Sequence, residues 1–115
     1  MFVEDSYLAY VMDQLSSLGP VIVRKMFGGA SLYLNGTIFA VVANDALYFK
    51  VDDANRPDYE AVGMGPFNPY GEKPHISSYY EVPIEVLEND EKLREWADKA
   101  LEATRRASSA RSRKR

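Results

Sequence analysis

The sequence has no cysteine. That excludes a disulfide framework, a thiolate nucleophile and a cysteine-type zinc site. Its one histidine, His75, has no second imidazole with which to share a metal. No apolar run approaches the roughly 20 residues of a helical membrane span. The opening stretch MFVEDSYLAY carries Glu4 and Asp5 where a secretory signal would need positive charge. A cytoplasmic location without membrane contact is the expectation. Acidic residues are missing from the last stretch, RRASSARSRKR, which holds six of the 14 basic residues. Positions 1–104 therefore carry eight bases against 17 acids, a balance of −9 hidden behind a net charge of −3. The acidic body and the basic end require separate treatment.

What is present fits one domain: 115 residues, 46% of them hydrophobic, enough for a single core. The spacing of Tyr7 or Leu8, Val11, Met12, Leu15 and Leu18 predicts a first helix, stopped by Gly19-Pro20. VIVRKMF (21–27) is rich in β-branched residues and reads as a strand. SLYLNGTIFAVVANDALYFKV then reads as two linked hairpins. Asn35-Gly36 suits a type I′ turn, in which both residues need positive φ, and Asn44-Asp45 makes a second turn. Two-residue loops would pair Tyr33 with Ile38, Leu32 with Phe39, and Val42 with Leu47. One sheet face would collect Tyr33, Ile38, Ala40, Val42, Leu47, Phe49 and Val51. The other would collect Leu32, Leu34, Phe39, Val41, Tyr48 and Lys50. A second apolar face needs a cover, either a terminal helix or a second copy of the chain. Leu32, Leu34, Phe39, Val41 and Tyr48 are accordingly the candidate interface.

Asn55 is placed to cap a short helix beginning with Arg56 and Pro57 and ending at Gly63. Residues 64–74 are crowded with Gly and Pro and read as an irregular loop. HISSYYEV (75–82) reads as a further strand. A last helix starts near Asn89 or Asp90, with Leu93, Trp96, Ala97, Ala100 and Leu101 as its apolar stripe. Hairpins between terminal helices argue for an α+β fold, an antiparallel or mixed sheet flanked by N- and C-terminal helices. Residues 1–104 form the domain in this reading, and 105–115 a disordered basic tail.

Gly28-Gly29 invites comparison with a phosphate loop, but such loops sit between a strand and a helix. Here a strand follows, so Gly28, Gly29, Asn35 and Gly36 are assigned to turns. Ser77 and Ser78 beside His75 lack the glycine pattern of a nucleophile elbow. Asp52-Asp53 matches no calcium loop and suits the positive end of the short helix. No catalytic residue, metal or cofactor is expected. Tyr33, Tyr48, Tyr79 and Tyr80, with Arg24, Lys25 and Lys50 near them, could stack bases, but the acidic body opposes a polyanion. Arg105, Arg106, Arg111, Arg113, Lys114 and Arg115 could attract DNA weakly without reading its sequence.

The succession of MFGG, LYLNGTIFAVVANDALYFKVDDANRPDYEAVGMGPF, SYYEVP and a terminal helix with Leu93 and Trp96 resembles the N-terminal domain of the TfoX (Sxy) family over roughly residues 10–103. That family contains bacterial regulators of competence genes. The resemblance implies an α+β domain grouped with folds similar to type III secretion chaperones, commonly dimeric. It implies no catalytic residues. Full-length relatives carry a second, helical domain and work with a transcription activator, so this chain reads as a standalone N-terminal domain. The expected function is a non-enzymatic regulatory or adaptor domain acting by protein contact, as a homodimer and with a partner from the transcription machinery. The alternative is a regulator tethered to nucleic acid by its basic tail.

Overall fold

A computed structural model describes residues 5–26, 29–66 and 78–113. Helix α1 (Asp5–Gln14) leads through a 3-10 turn (Ser16–Leu18) into strands β1 (Val21–Met26), β2 (Gly29–Leu34), β3 (Thr37–Ala43) and β4 (Ala46–Lys50). Helix α2 (Arg56–Glu60), strand β5 (Tyr79–Glu81), helix α3 (Ile84–Leu87) and the long α4 (Asp90–Arg113) follow among the described residues. The five strands form one antiparallel sheet in sequence order, β1-β2-β3-β4-β5. The α+β architecture with helices at both ends is the one expected from the sequence.

Local chemistry explains the junctions. Asn35 (φ 53°) and Gly36 (φ 80°) both adopt the left-handed region, as a type I′ hairpin requires. Asn44 and Asp45 do the same at φ 52° and 55° without a glycine. Asn and Asp tolerate that region better than other side chains. Gly63 (φ 78°) ends the turn after α2. Asn89 Oδ1 accepts from the Lys92 amide at 3.0 Å and caps α4. Gly29 opens β2 opposite Met26. Gly28, His75, Lys114 and Arg115 lie outside the described residues.

The predicted register holds near the turns and breaks between them. Tyr33 pairs with Ile38, but Leu32 pairs with Ala40 rather than with Phe39. Phe39 is an extra residue in β3, a β-bulge. Because side chains alternate with period two, one inserted residue reverses which β2 side chains share a face with the rest of β3. Leu32, Leu34 and Phe39 therefore point into the core, at 0%, 8% and 0% exposure. Their assignment to an exposed interface is corrected. The inner face consists of Ala30, Leu32, Leu34, Phe39, Ala40, Val42, Leu47 and Phe49. Tyr33 and Ile38, expected in the core, turn outward.

The helices close over this inner face. Leu8, Val11 and Leu15 at the N-terminal end, Val86 and Leu87 of α3, and Leu93, Ala97, Ala100 and Leu101 of α4 join one buried cluster with it. The Thr104 hydroxyl donates to the Ile38 carbonyl at 2.7 Å and ties α4 to β3. Gln14 Nε2 donates to the Leu87 carbonyl at 2.9 Å, joining α1 to α3. Aromatic rings fill the remaining volume. Phe39 meets Phe49 at 5.8 Å between centroids, and Tyr59 of α2 meets Trp96 edge-on at 4.6 Å and Tyr80 at 5.8 Å.

The tail expectation is also corrected. α4 does not stop at Ala103 but continues helically through Arg105 and Arg106 to Arg113. A helix already nucleated over three turns extends at little cost. Arg and Ala are good helix formers, and cations suit the negative C-terminal end.

Two measurements check this core. Phe39→Ala should lower the free energy of denaturant unfolding by about 3–5 kcal/mol, whereas Val62→Ser after α2, 52% exposed, should shift it by no more than about 0.5 kcal/mol. The Tyr59 hydroxyl is buried with no hydrogen-bond partner among the described residues. Tyr59→Phe should therefore leave stability unchanged or raise it by up to about 1 kcal/mol.

Candidate interaction surface

The bulge decides what the sheet shows to its other side. Pairing places Ile22, Tyr33, Ile38, Val41, Tyr48, Lys50 and Tyr79 on the outer face. Ile22 is exposed, and the others are half-buried. The small Ser31 and Ala43 between them are buried. Of the five candidate interface residues, only Val41 and Tyr48 thus belong to this surface, while Ile22, Tyr33 and Ile38 were missed. Alternation alone could have found all three had the position of the bulge been known.

The tyrosines singled out from the sequence divide. Tyr33, Tyr48 and Tyr79 sit on the outer face and Tyr80 in the core, at 9% exposure. Burial raises the Tyr79 pKa above its ordinary value, with Tyr33 adding a smaller push. Burial, then Glu81, does the same for Tyr48. At the N-terminal helix, Tyr7 is pushed up to about 12, chiefly by burial. These phenols are neutral across the physiological range.

A second surface lies where β4 ends. Residues 50–55 are knitted by Asn55, which is 1% exposed. Its Oδ1 accepts from the Asp52 amide at 2.8 Å, and its Nδ2 donates to the Lys50 carbonyl at 3.1 Å. Asn55 stands at the cap position expected of it, but its side chain bonds back to the loop instead of capping α2. Asp52 Oδ1 accepts from the Ala54 amide at 3.0 Å. Together these bonds present the two carboxylates to neighbouring guanidinium groups.

Arg106 holds Asp52 with two hydrogen bonds, Nε to Oδ2 at 2.7 Å and Nη2 to Oδ1 at 3.0 Å. Arg56 Nη1 reaches Asp53 Oδ1 at 2.6 Å. Lys99 Nζ meets Asp58 Oδ2 at 2.9 Å. Lys50 lies 5.4 Å above the Tyr79 ring centroid and donates to Ser78 Oγ at 3.1 Å. Of the six cations assigned to the tail, Arg106 is thus engaged with the body, and Arg105 is exposed on α4. Arg111 and Arg113 fall on the last turns of the helix. No pattern in the sequence links position 52 to position 106. Only the path of α4 across the sheet does.

Among the described residues, no three of His, Asp and Glu cluster as a metal centre would require. No helix among them is long and apolar enough to cross a membrane.

The Arg106 hydrogen bonds hold the Asp52 carboxyl below its ordinary value of 3.8, outweighing the opposing effect of burial. A carboxylate with a lowered native pKa contributes stability above its unfolded value and loses that contribution as pH falls through the native value. Near pH 7 the wild type should exceed Asp52→Asn by less than about 1 kcal/mol, because the pair is partly exposed. That difference should close below about pH 4 in paired denaturant titrations.

A search of curated proteins finds no match to the chain. A family profile, described as the TfoX N-terminal domain, matches residues 13–104. The match spans the 3-10 turn, all five strands and α4 as far as Thr104, whose hydroxyl binds β3. It covers most of the 115 residues, and the chain belongs to the TfoX N-terminal domain family.

Proposed function

We propose that this chain is a non-enzymatic regulatory or adaptor domain of the kind found in competence regulators. In this reading it acts in the cytoplasm by protein–protein contact, as a homodimer that also engages a protein of the transcription machinery. The observation that carries the reading is the outer sheet face. Ile22 is 57% exposed there, and Tyr33, Ile38 and Val41 are half-buried around it. Removing such side chains from water contributes roughly 25 cal/mol per Å² of apolar area, and aromatic residues are enriched at protein interfaces. Membership of the TfoX N-terminal domain family supports the regulatory assignment.

A second reading, sequence-independent contact with nucleic acid, is favoured by one observation. Arg105, Arg106, Arg111 and Arg113 fall on the regular helix of α4, so cations are carried on a helical element in a segment free of acids.

Light scattering at micromolar concentration tests the first reading. The wild type should run at twice the chain mass of 13.0 kDa. The double variant Ile22→Asp, Val41→Asp should run at the single-chain mass with its circular dichroism spectrum retained. A wild-type chain that stays monomeric at all concentrations tested would overturn self-association.

A further inference from the structure

Strand pairing carries one row of side chains straight across the outer face of the sheet. Arg24 of β1 stands opposite Ser31 of β2, Ser31 opposite Val41 of β3, Val41 opposite Tyr48 of β4, and Tyr48 opposite Glu81 of β5. The row begins with a cation on one edge strand and ends with an anion on the other, and both are exposed. They lie four strand spacings apart, about 19 Å. At that distance they are screened from each other within one chain. Alongside runs a second row, with Ile22 at the β1 edge and Tyr79 at the β5 edge. Val41 and Ile38 stand midway on the central strand β3.

The edges of the sheet suit a further strand poorly. Beside β5, Pro66 bridges to Tyr80, and the Glu81 amide donates to the Gly65 carbonyl at 3.3 Å. β1 carries the consecutive exposed cations Arg24 and Lys25, and charged side chains on an edge strand oppose pairing with a like strand. The face is therefore the better route to a second copy.

We propose that two copies pack outer face to outer face about a two-fold axis along β3, so that Arg24 of each chain meets the partner's Glu81. The proposal rests on the homodimer reading above and names its register. An axis in that direction sets β1 over the partner's β5 and leaves β3 over the partner's β3. Opposite charges then meet twice, once on each side of the axis, as a self-complementary contact requires. Ile22 comes to lie against the partner's Tyr79, and Val41 and Ile38 pack near their own copies at the centre. An axis running across the strands would instead set each edge strand over its own copy and bring like charges together, which is costly. The charges thus select the axis. Strands related in this way stay aligned to within the roughly 30° usual for packed sheets. At the roughly 10 Å spacing of such sheets, long side chains such as Arg and Glu reach each other from opposite faces.

Sedimentation equilibrium of full-length proteins tests the register. The wild type is compared with Arg24→Glu, with Glu81→Arg, with an equimolar mixture of these two, and with the double variant Arg24→Glu, Glu81→Arg. Both positions are exposed, and thermal melting checks the fold of each variant. Each single reversal places like charges at both contacts and should raise the dimer dissociation constant about tenfold at low salt. The mixture should recover dimers of wild-type affinity, because the acidic and the basic variant satisfy both contacts across the axis. The double variant, with the charges exchanged, should recover them too. Suppose the wild type dimerises and the single reversals match it. Then the register is overturned while the homodimer reading stands. If the single reversals weaken the dimer but the mixture or the double variant does not recover it, the register is overturned as well. A wild type that stays monomeric overturns the register and the homodimer reading together, and leaves the face to a different protein.

Discussion

The insertion of Phe39 into β3 is the constraint on which the rest of this domain depends. Without it, the hairpin started by Asn35-Gly36 would set Leu32 opposite Phe39 and send Leu32 and Leu34 to the solvent side. With it, Leu32 faces Ala40, and Leu34, Leu32 and Phe39 join one inner face. That face is wide and fully apolar, so it can be covered by α1, α3 and α4 together. The bulge thus converts a sheet that would be apolar on two sides into one with a dry side and a half-exposed side. The cost is one unpaired residue in the ladder, and the ring of Phe39 offsets it by packing against Phe49.

From this arrangement the path of α4 follows. Its stripe of Leu93, Ala97, Ala100 and Leu101 uses small residues where the helix crosses the sheet. Thr104 sets the distance to β3 with a hydrogen bond. A helix seated in that way arrives at the β4–α2 loop with Arg106 directed at Asp52. The same loop is held by the buried amide of Asn55. The opposite charges of body and C-terminal segment, visible as a bulk imbalance in the sequence, meet in the fold as one bidentate pair with defined geometry.

The two surfaces that follow are neighbours. Lys50 and Tyr79 belong to the outer face of the sheet, and Lys50 also lines the cleft beside Arg106. Lys50 is thus common to both surfaces.

The sequence by itself determined the elements. Positive-φ turn residues, glycine stops and helical spacing are local properties, each settled within a few residues of chain. The order helix, hairpins, short helix, strand, helix was legible for that reason, and so was membership of the TfoX N-terminal domain family. Tertiary structure decided the faces and the partners. Whether Leu32 or Tyr33 turns inward depends on one residue's insertion across a strand pair, and alternation within a single strand carries no mark of it. Whether residue 105 begins a loose tail or continues a helix depended on the nucleated length of α4 and on Asp52, far away along the chain. Interactions across such separations arise from packing, and the linear pattern does not encode them singly.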